Sequence, residues 1–248
     1  MATLSIIIIT KNEAKNIRRC LDSVKFADEI IIVDSGSTDE TVNICKEYTN
    51  KIIVTEDWPG YGKQKGRALE QTTGDWVLSI DADEEVSDLL RQEILKSIQQ
   101  TEVAAYSIPV RLIFYGREIK YAVGSDRHIR LFQRKRAKFT DDIIHEDIQV
   151  QGRIEKLSGF IYHYSFDSID TLVAKMNKYT EMTADQKHQR GSYSSPWRAW
   201  ISSVWIFIRL YFLKRGFLDG KRGLVLAFSF AEGAFYRHMK LNFLWEKK

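Results

Sequence analysis

Asp81-Ala82-Asp83 places two carboxylates two positions apart, directly after the apolar run at residues 76–80. Hard divalent cations take carboxylate oxygens, and Mg²⁺ binds through one or two carboxylates together with substrate phosphates. Because the acidic run continues through Glu84 and Glu85, a solvated turn that caps the next helix is the alternative reading. Upstream, Asp34 closes the run at residues 30–33 and opens Asp34-Ser35-Gly36-Ser37-Thr38-Asp39. A carboxylate at a strand end can accept hydrogen bonds from a base or a ribose, and the small Gly36 and Ser37 let a ligand approach the backbone. Ser37 or Thr38 would also cap the following helix, with Asp39 at its positive end.

These carboxylates need a scaffold that brings strand ends to one edge. Residues 4–10 (LSIIIIT) form the continuous apolar run of a strand buried on both faces. Helical spacing follows at 14–24, a strand at 29–33, a helix at 38–48 and a short strand at 52–54. A helix is expected at 63–72, a strand at 76–80 and a helix at 87–99. Repeated units of this kind imply an α/β fold with a parallel sheet and helices on both faces, and ligands at the carboxyl ends of the strands. From 104 to 164 shorter strand-like runs, at 106–114, 127–133, 143–150 and 159–163, extend the sheet in a mixed manner. The chain turns helical again from 168 to 189. Residues 191–196 (GSYSSP) link it to two apolar helices.

The ordered set Ile6-Ile7-Ile8-Ile9-Thr10-Lys11-Asn12-Glu13, Ile32-Val33-Asp34-Ser35-Gly36-Ser37-Thr38-Asp39 and Asp81-Ala82-Asp83 resembles the catalytic domain of glycosyltransferase family 2, which has the GT-A fold, a Rossmann-like mixed sheet with flanking helices. Ile144-His145-Glu146 and Gly216-Phe217-Leu218-Asp219-Gly220 are similar to the bacterial lipopolysaccharide core β-1,4-glucosyltransferase branch. The resemblance implies that Thr10, Asn12, Glu13 and Asp34, with Gly36 and Ser37, line the nucleotide pocket. It puts Asp81 near the ribose, and Asp83 on a Mg²⁺ or Mn²⁺ ion that binds the donor diphosphate. It further implies direct displacement with inversion, in which the metal offsets charge on the departing diphosphate and a general base takes the acceptor proton.

Glu146 and Asp147 are the candidate bases, on opposite faces of a strand, and the resemblance centres on the His145-Glu146 pair, which favours Glu146. Lys65, in Gly62-Lys63-Gln64-Lys65-Gly66, either meets donor phosphates or is solvated at the start of a helix. His163, between Tyr162 and Tyr164, either completes the metal site or packs with a hydrogen bond. Arg130, among apolar neighbours, either reaches a phosphate or forms an ion pair at the sheet surface.

Charge is unevenly distributed. Residues 187–248 hold 12 Lys and Arg against 3 Asp and Glu, a balance of +9, within a chain of net charge +4. Trp197, Trp200, Trp205 and Trp245 lie in the same region. The apolar stretch at 199–213 is shorter than the roughly 20 residues a bilayer crossing needs, and it contains Arg209. It therefore reads as a helix lying in the interface of an anionic membrane, with packing on protein as the alternative. Nucleic acid is disfavoured, since the segment has no interleaved charge and aromatic pattern.

The expected organisation is a catalytic domain at 1–190 and a basic, aromatic helical region at 191–248. The amino terminus lacks the pattern of a secretory signal, so the expected place is cytoplasmic, on the inner face of the cytoplasmic membrane. Cys20 and Cys45 read as reduced core residues. The expected activity is transfer of a hexose, from UDP-glucose as the first candidate, to a sugar hydroxyl of a lipid-linked saccharide such as the lipopolysaccharide inner core. A polyprenyl-phosphate glycosyltransferase and a sugar nucleotidylyltransferase are the competing enzymes. The second conflicts with the absence of glycine from residues 10–16, and an oxidoreductase with the absence of G-x-G-x-x-G after the first strand.

Overall fold

The computed structural model describes residues 1–140 and 148–246. Its contacts divide the chain into two units, Met1–Val110 with Asp126–His163, and Arg111–Ser125 with Tyr164–Lys248. The chain opens with β1 (Leu4–Thr10), α1 (Ile17–Ser23), β2 (Glu29–Asp34), α2 (Thr41–Cys45), β3 (Ile52–Val54) and α3 (Tyr61–Glu70). It continues through β4 (Trp76–Asp81), β5 (Glu84–Val86), α4 (Asp88–Ser97), β6 (Val103–Phe114) and β7 (Arg117–Glu118). Then come β8 (Arg127–Gln133), β9 (Ala137–Phe139), β10 (Ile148–Val150), β11 (Arg153–Lys156) and β12 (Ile161–Phe166).

In the first unit the sheet runs in the order β3-β2-β1-β4-β8-β6. β3, β2, β1 and β4 are parallel, while β8 is antiparallel to both β4 and β6. Every residue of β1 is buried, because side chains alternate between two covered faces. Ile6 and Ile8 join Ile17 and Leu21 of α1 and Leu90 and Ile94 of α4 on one face. Ile7 and Ile9 join Val33, Val77 and Ala68 of α3 on the other. Cys20 and Cys45 are buried free thiols, and burial pushes the Cys45 thiol up to about 12.

The mixed extension read from the shorter runs is present, with one strand that the sequence did not suggest. Residues 84–86, taken as the continuation of an acidic turn, form β5, whose Glu84 pairs with His163 of β12. Glu84 is also 1% exposed, so the acidic run is not a solvated turn.

The second unit holds α5 (Ile169–Gln189), α6 (Pro196–Phe207), a π turn (Ile208–Leu213) and α7 (Gly220–Glu246). Ser168 caps α5 by accepting from the Thr171 N–H, and Pro196 occupies the first turn of α6, where its missing N–H costs nothing. α7 packs along both α5 and α6. Leu172 and Leu226 share a core with Leu112, Phe114, Ile119 and Ala122. Residues 164–190 cluster with the C-terminal helices. The cause is the apolar face of α5, which closes on α7. No described helix is long and apolar enough to cross a membrane.

Candidate active site

Strand register brings the first three motifs together in the first unit. Thr10 of β1 pairs with Asp34 of β2, and Ile9 with Asp81 of β4. Thr10 thus ends between two carboxylate-bearing strand ends, where an open α/β sheet binds its ligands. Its hydroxyl is buried and has no hydrogen-bond partner among the described residues. Buried polar atoms are nearly always satisfied, so this hydroxyl at a strand end is an exception that calls for a partner from outside the described residues.

The Asp34 carboxylate is fully buried. Its Oδ1 accepts from the Gly36 and Ser37 N–H groups at 3.0 and 2.8 Å, and Ser37 Oγ donates to Oδ2. Gly36 has φ of 77°, a conformation that suits glycine. Asn12, itself left-handed at φ 56°, clamps the two loops to each other. Its N–H donates to Ser37 Oγ at 2.8 Å, and its Oδ1 accepts from the Thr38 N–H at 2.8 Å. The Glu13 N–H donates to Thr41 Oγ1, and Glu13 Oε2 accepts from Asn16. Asn12, Glu13, Asp34, Gly36 and Ser37 therefore form one braced wall beside Thr10, and these hydrogen bonds hold the backbone where a base or ribose would lie.

At the end of β4, Asp81 receives two cations. Lys65 Nζ lies 2.9 Å from Oδ1, and the Arg130 guanidinium 3.2 Å from Oδ2. Lys65 is only 3% exposed, whereas Lys63 is in solvent. Arg130 also meets Glu84 at 2.8 Å, and the second Glu84 oxygen accepts from the Asp81 N–H at 2.8 Å. Burial alone would raise the Asp81 carboxyl, but Lys65 and Arg130 outweigh it and hold the group well below the usual carboxylate range. Glu84 shifts the other way, upward, because its burial outweighs the help from Arg130 and the Asp81 charge adds to it. A buried lysine and a half-buried arginine beside a strand-end carboxylate form a cluster that can neutralise phosphate oxygens.

Asp83 lies on the same turn, and His163 Nε2 is 3.2 Å from its Oδ2. Burial lowers the affinity of the imidazole for a proton, and the hydrogen bond to Asp83 with the carboxylates of Asp83, Glu84 and Asp81 more than restores it. The carboxylate oxygen suits Mg²⁺ or Mn²⁺, and the imidazole nitrogen is a softer donor that fits Mn²⁺ better than Mg²⁺. Among the described residues no three metal-ligating side chains converge. The pair therefore fits a cation whose remaining positions come from substrate phosphates, which is how Mg²⁺ is usually held.

Glu146 and Asp147, the candidate bases, lie outside the described residues. The site also contains residues that motif reading missed. Glu84 orients Arg130 and the Asp81 turn, and its signal was masked by an acidic run that reads as surface. Gln64 is fully buried and donates to Ser35 Oγ and Thr55 Oγ1, both at 2.8 Å, which ties α3 to the Asp34 loop.

Residues 5–157 match the family model for glycosyl transferase family 2. An uncharacterized glycosyltransferase of Rickettsia typhi is 37% identical over 98% of this chain and 87% of its own length. The lipopolysaccharide core biosynthesis glycosyltransferase LpsC of Rhizobium meliloti is 31% identical over 95% of this chain and 93% of its own. Among solved structures, S. aureus TarS 1-349 in complex with UDP-GlcNAc aligns with a TM-score of 0.52 at 16% identity, covering 99% of this chain and 92% of that one. The last similarity establishes the GT-A architecture.

Proposed function

Because the chain belongs to glycosyl transferase family 2 and is a nucleotide-sugar glycosyltransferase, we propose that it transfers a hexose, with inversion, from a UDP-sugar to a hydroxyl of a lipid-linked saccharide. The observation that carries the donor half is the buried, unsatisfied Thr10 hydroxyl between the Asp34 and Asp81 strand ends. In this reading the nucleotide lies against the wall of Thr10, Asn12, Glu13, Asp34, Gly36 and Ser37. Uridine as the base is suggested by the UDP-GlcNAc bound to the TarS structure, and UDP-glucose is the first donor to try.

Lys65 and Arg130 turn part of their charge from Asp81 to the diphosphate as it enters. Asp83 and His163 would hold Mg²⁺ or Mn²⁺, which when bound offsets the charge that builds on the leaving diphosphate. The acceptor oxygen attacks the anomeric carbon as the bond to the diphosphate oxygen breaks on the opposite face. Glu146 takes the hydroxyl proton, with its neighbour Asp147 as the alternative base. A saccharide of the lipopolysaccharide core is the acceptor class that the LpsC relative suggests. An acceptor on a lipid anchor would place the work at the inner face of the cytoplasmic membrane.

Glu146→Gln tests the acceptor half, since the amide keeps the shape and loses the basicity. Transfer should fall by about 10²- to 10⁴-fold with UDP-sugar affinity unchanged. Near-normal transfer in Glu146→Gln together with a dead Asp147→Asn would move the base to Asp147. Near-normal transfer in both would point to an acceptor that is already ionised, such as a polyprenyl phosphate.

A further inference from the structure

In the C-terminal unit, α6 and the π turn after it carry an apolar stripe on their outer side. Trp197 is 77% exposed, Trp200 59%, Ile201 66%, Val204 50% and Trp205 52%. The positions repeat every three or four residues, so they share one helical face, and Ile208 and Phe212, also exposed, continue it. The inner side behaves in the opposite way: Ala199 and Leu210 are buried, and α6 packs along α7. Soluble monomers rarely leave so continuous an apolar surface in water.

The charge on this segment is of one sign. Residues 196–215 contain Arg198, Arg209, Lys214 and Arg215 and no acidic residue, and Arg198 and Arg209 are exposed. A second copy docked through the same face would bring these cations against their own counterparts, with no carboxylate on the segment to receive them. An anionic bilayer supplies both the missing charge and the apolar phase. The 12 residues of α6 and the six of the π turn fall short of the roughly 20 that cross a bilayer, so the helix would lie along the surface.

We propose that the face of α6 bearing Trp197, Trp200, Ile201, Val204 and Trp205 is a docking surface for a bilayer with anionic headgroups. The tryptophans sit at headgroup depth, Ile201 and Val204 enter the acyl boundary, and Arg198 and Arg209 meet lipid phosphates. The inference deepens the reading of a lipid-linked acceptor and rests on it for its purpose, but its evidence is separate from the donor site.

Flotation of the full chain with phosphatidylcholine vesicles, with and without phosphatidylglycerol, tests it. Trp197→Glu with Trp205→Glu is the apolar variant, chosen because Trp200 also contacts the Phe235 ring at 5.6 Å. Arg198→Glu with Arg209→Glu is the charge variant. The wild type should float with the anionic vesicles and less so as salt rises. The apolar variant should lose at least about tenfold in partitioning, and the charge variant should lose only the preference for phosphatidylglycerol. Both should melt like the wild type and bind UDP-sugar normally in calorimetry, which separates failure of the docking face from failure of the enzyme reading. Equal partitioning of all three proteins on both vesicles would overturn the proposal. So would a wild-type dimer that ignores vesicles and is split by the apolar variant, an outcome that assigns the face to a second copy.

Discussion

The Thr10 hydroxyl, buried without a partner among the described residues between the Asp34 and Asp81 strand ends, is the residue-scale feature on which the proposed donor site rests. Thr10→Val keeps the shape and removes the hydroxyl. Since the group makes no hydrogen bond among the described residues, the melting temperature should stay unchanged or rise, while UDP-sugar affinity should fall by about three- to tenfold, the worth of one hydrogen bond. Calorimetric titration beside a thermal melt reads both. Equal donor affinity in Thr10→Val would remove the hydroxyl from the pocket. Asp81 and Glu84 illustrate the opposite principle, because both are satisfied by the chain itself. Their carboxylates hold Lys65 and Arg130 in position, so in the proposed donor site the cations would be in place before a phosphate arrives.

At the scale of elements, the order of strands and their carboxyl-end motifs could be read because buried parallel strands are continuous apolar runs, and residues 4–10, 29–34 and 76–81 each have one. Their register on one another, which sets Thr10 beside Asp34, follows once the strands are parallel and adjacent. What the sequence hid is β5, since Glu84 and Glu85 alternate with no apolar signal until Val86, and the burial of Glu84 depends on Arg130 arriving from β8, 46 positions away. The burial of Lys65 was hidden for the same reason, as its partner Asp81 belongs to another element.

Glu29, at the start of β2, ties that strand to β1 and to the turns before β3 and β4 and yields a pH prediction. It accepts from Ser5 Oγ, Lys51 Nζ and the Thr73 and Gly74 N–H groups. Burial would raise its carboxyl, yet Lys51, Ser5 and the two backbone donors together lower it from 4.5 to about 2. A carboxyl lowered on folding contributes stability that is present above the unfolded value and is lost as pH falls through the folded one. The difference in stability between wild type and Glu29→Gln should therefore shrink as pH drops from 4.5 toward 2. Urea unfolding of both proteins across that window checks it, and a difference that stays constant would show that Glu29 is not anchored this way.

For the whole molecule, the packing of α5 and α7 in the second unit bears on where the chain can be cut. Leu172 of α5 and Leu226 of α7 lie in one core with residues from 112–122, and Asp219 accepts from the N–H groups of Lys120, Tyr121 and Ala122 at 2.8–3.0 Å. A chain cut after Arg190 keeps α5 and the 111–125 segment but loses α7, which leaves Leu172, Phe114 and Ile119 uncovered and three N–H groups without their acceptor. Such a truncation should aggregate or melt well below the full chain, as scattering and thermal denaturation would show. A soluble fragment that melts like the full chain would instead make residues 1–190 an independent domain. The Gly216-to-Gly220 motif thereby gains a structural role, through Asp219, that its sequence alone did not disclose.

The central claim, that this chain is a UDP-sugar transferase whose donor phosphates are met by Asp83 with a divalent cation, is tested most directly by donor turnover. Hydrolysis and transfer would be measured across a panel of nucleotide sugars with Mg²⁺, with Mn²⁺ and in chelator, for the wild type and for Asp83→Ala. The account predicts turnover of a UDP-sugar that requires the cation and is lost in Asp83→Ala, while circular dichroism shows the fold retained. Full activity in chelator, or an Asp83→Ala protein as active as the wild type, would contradict it.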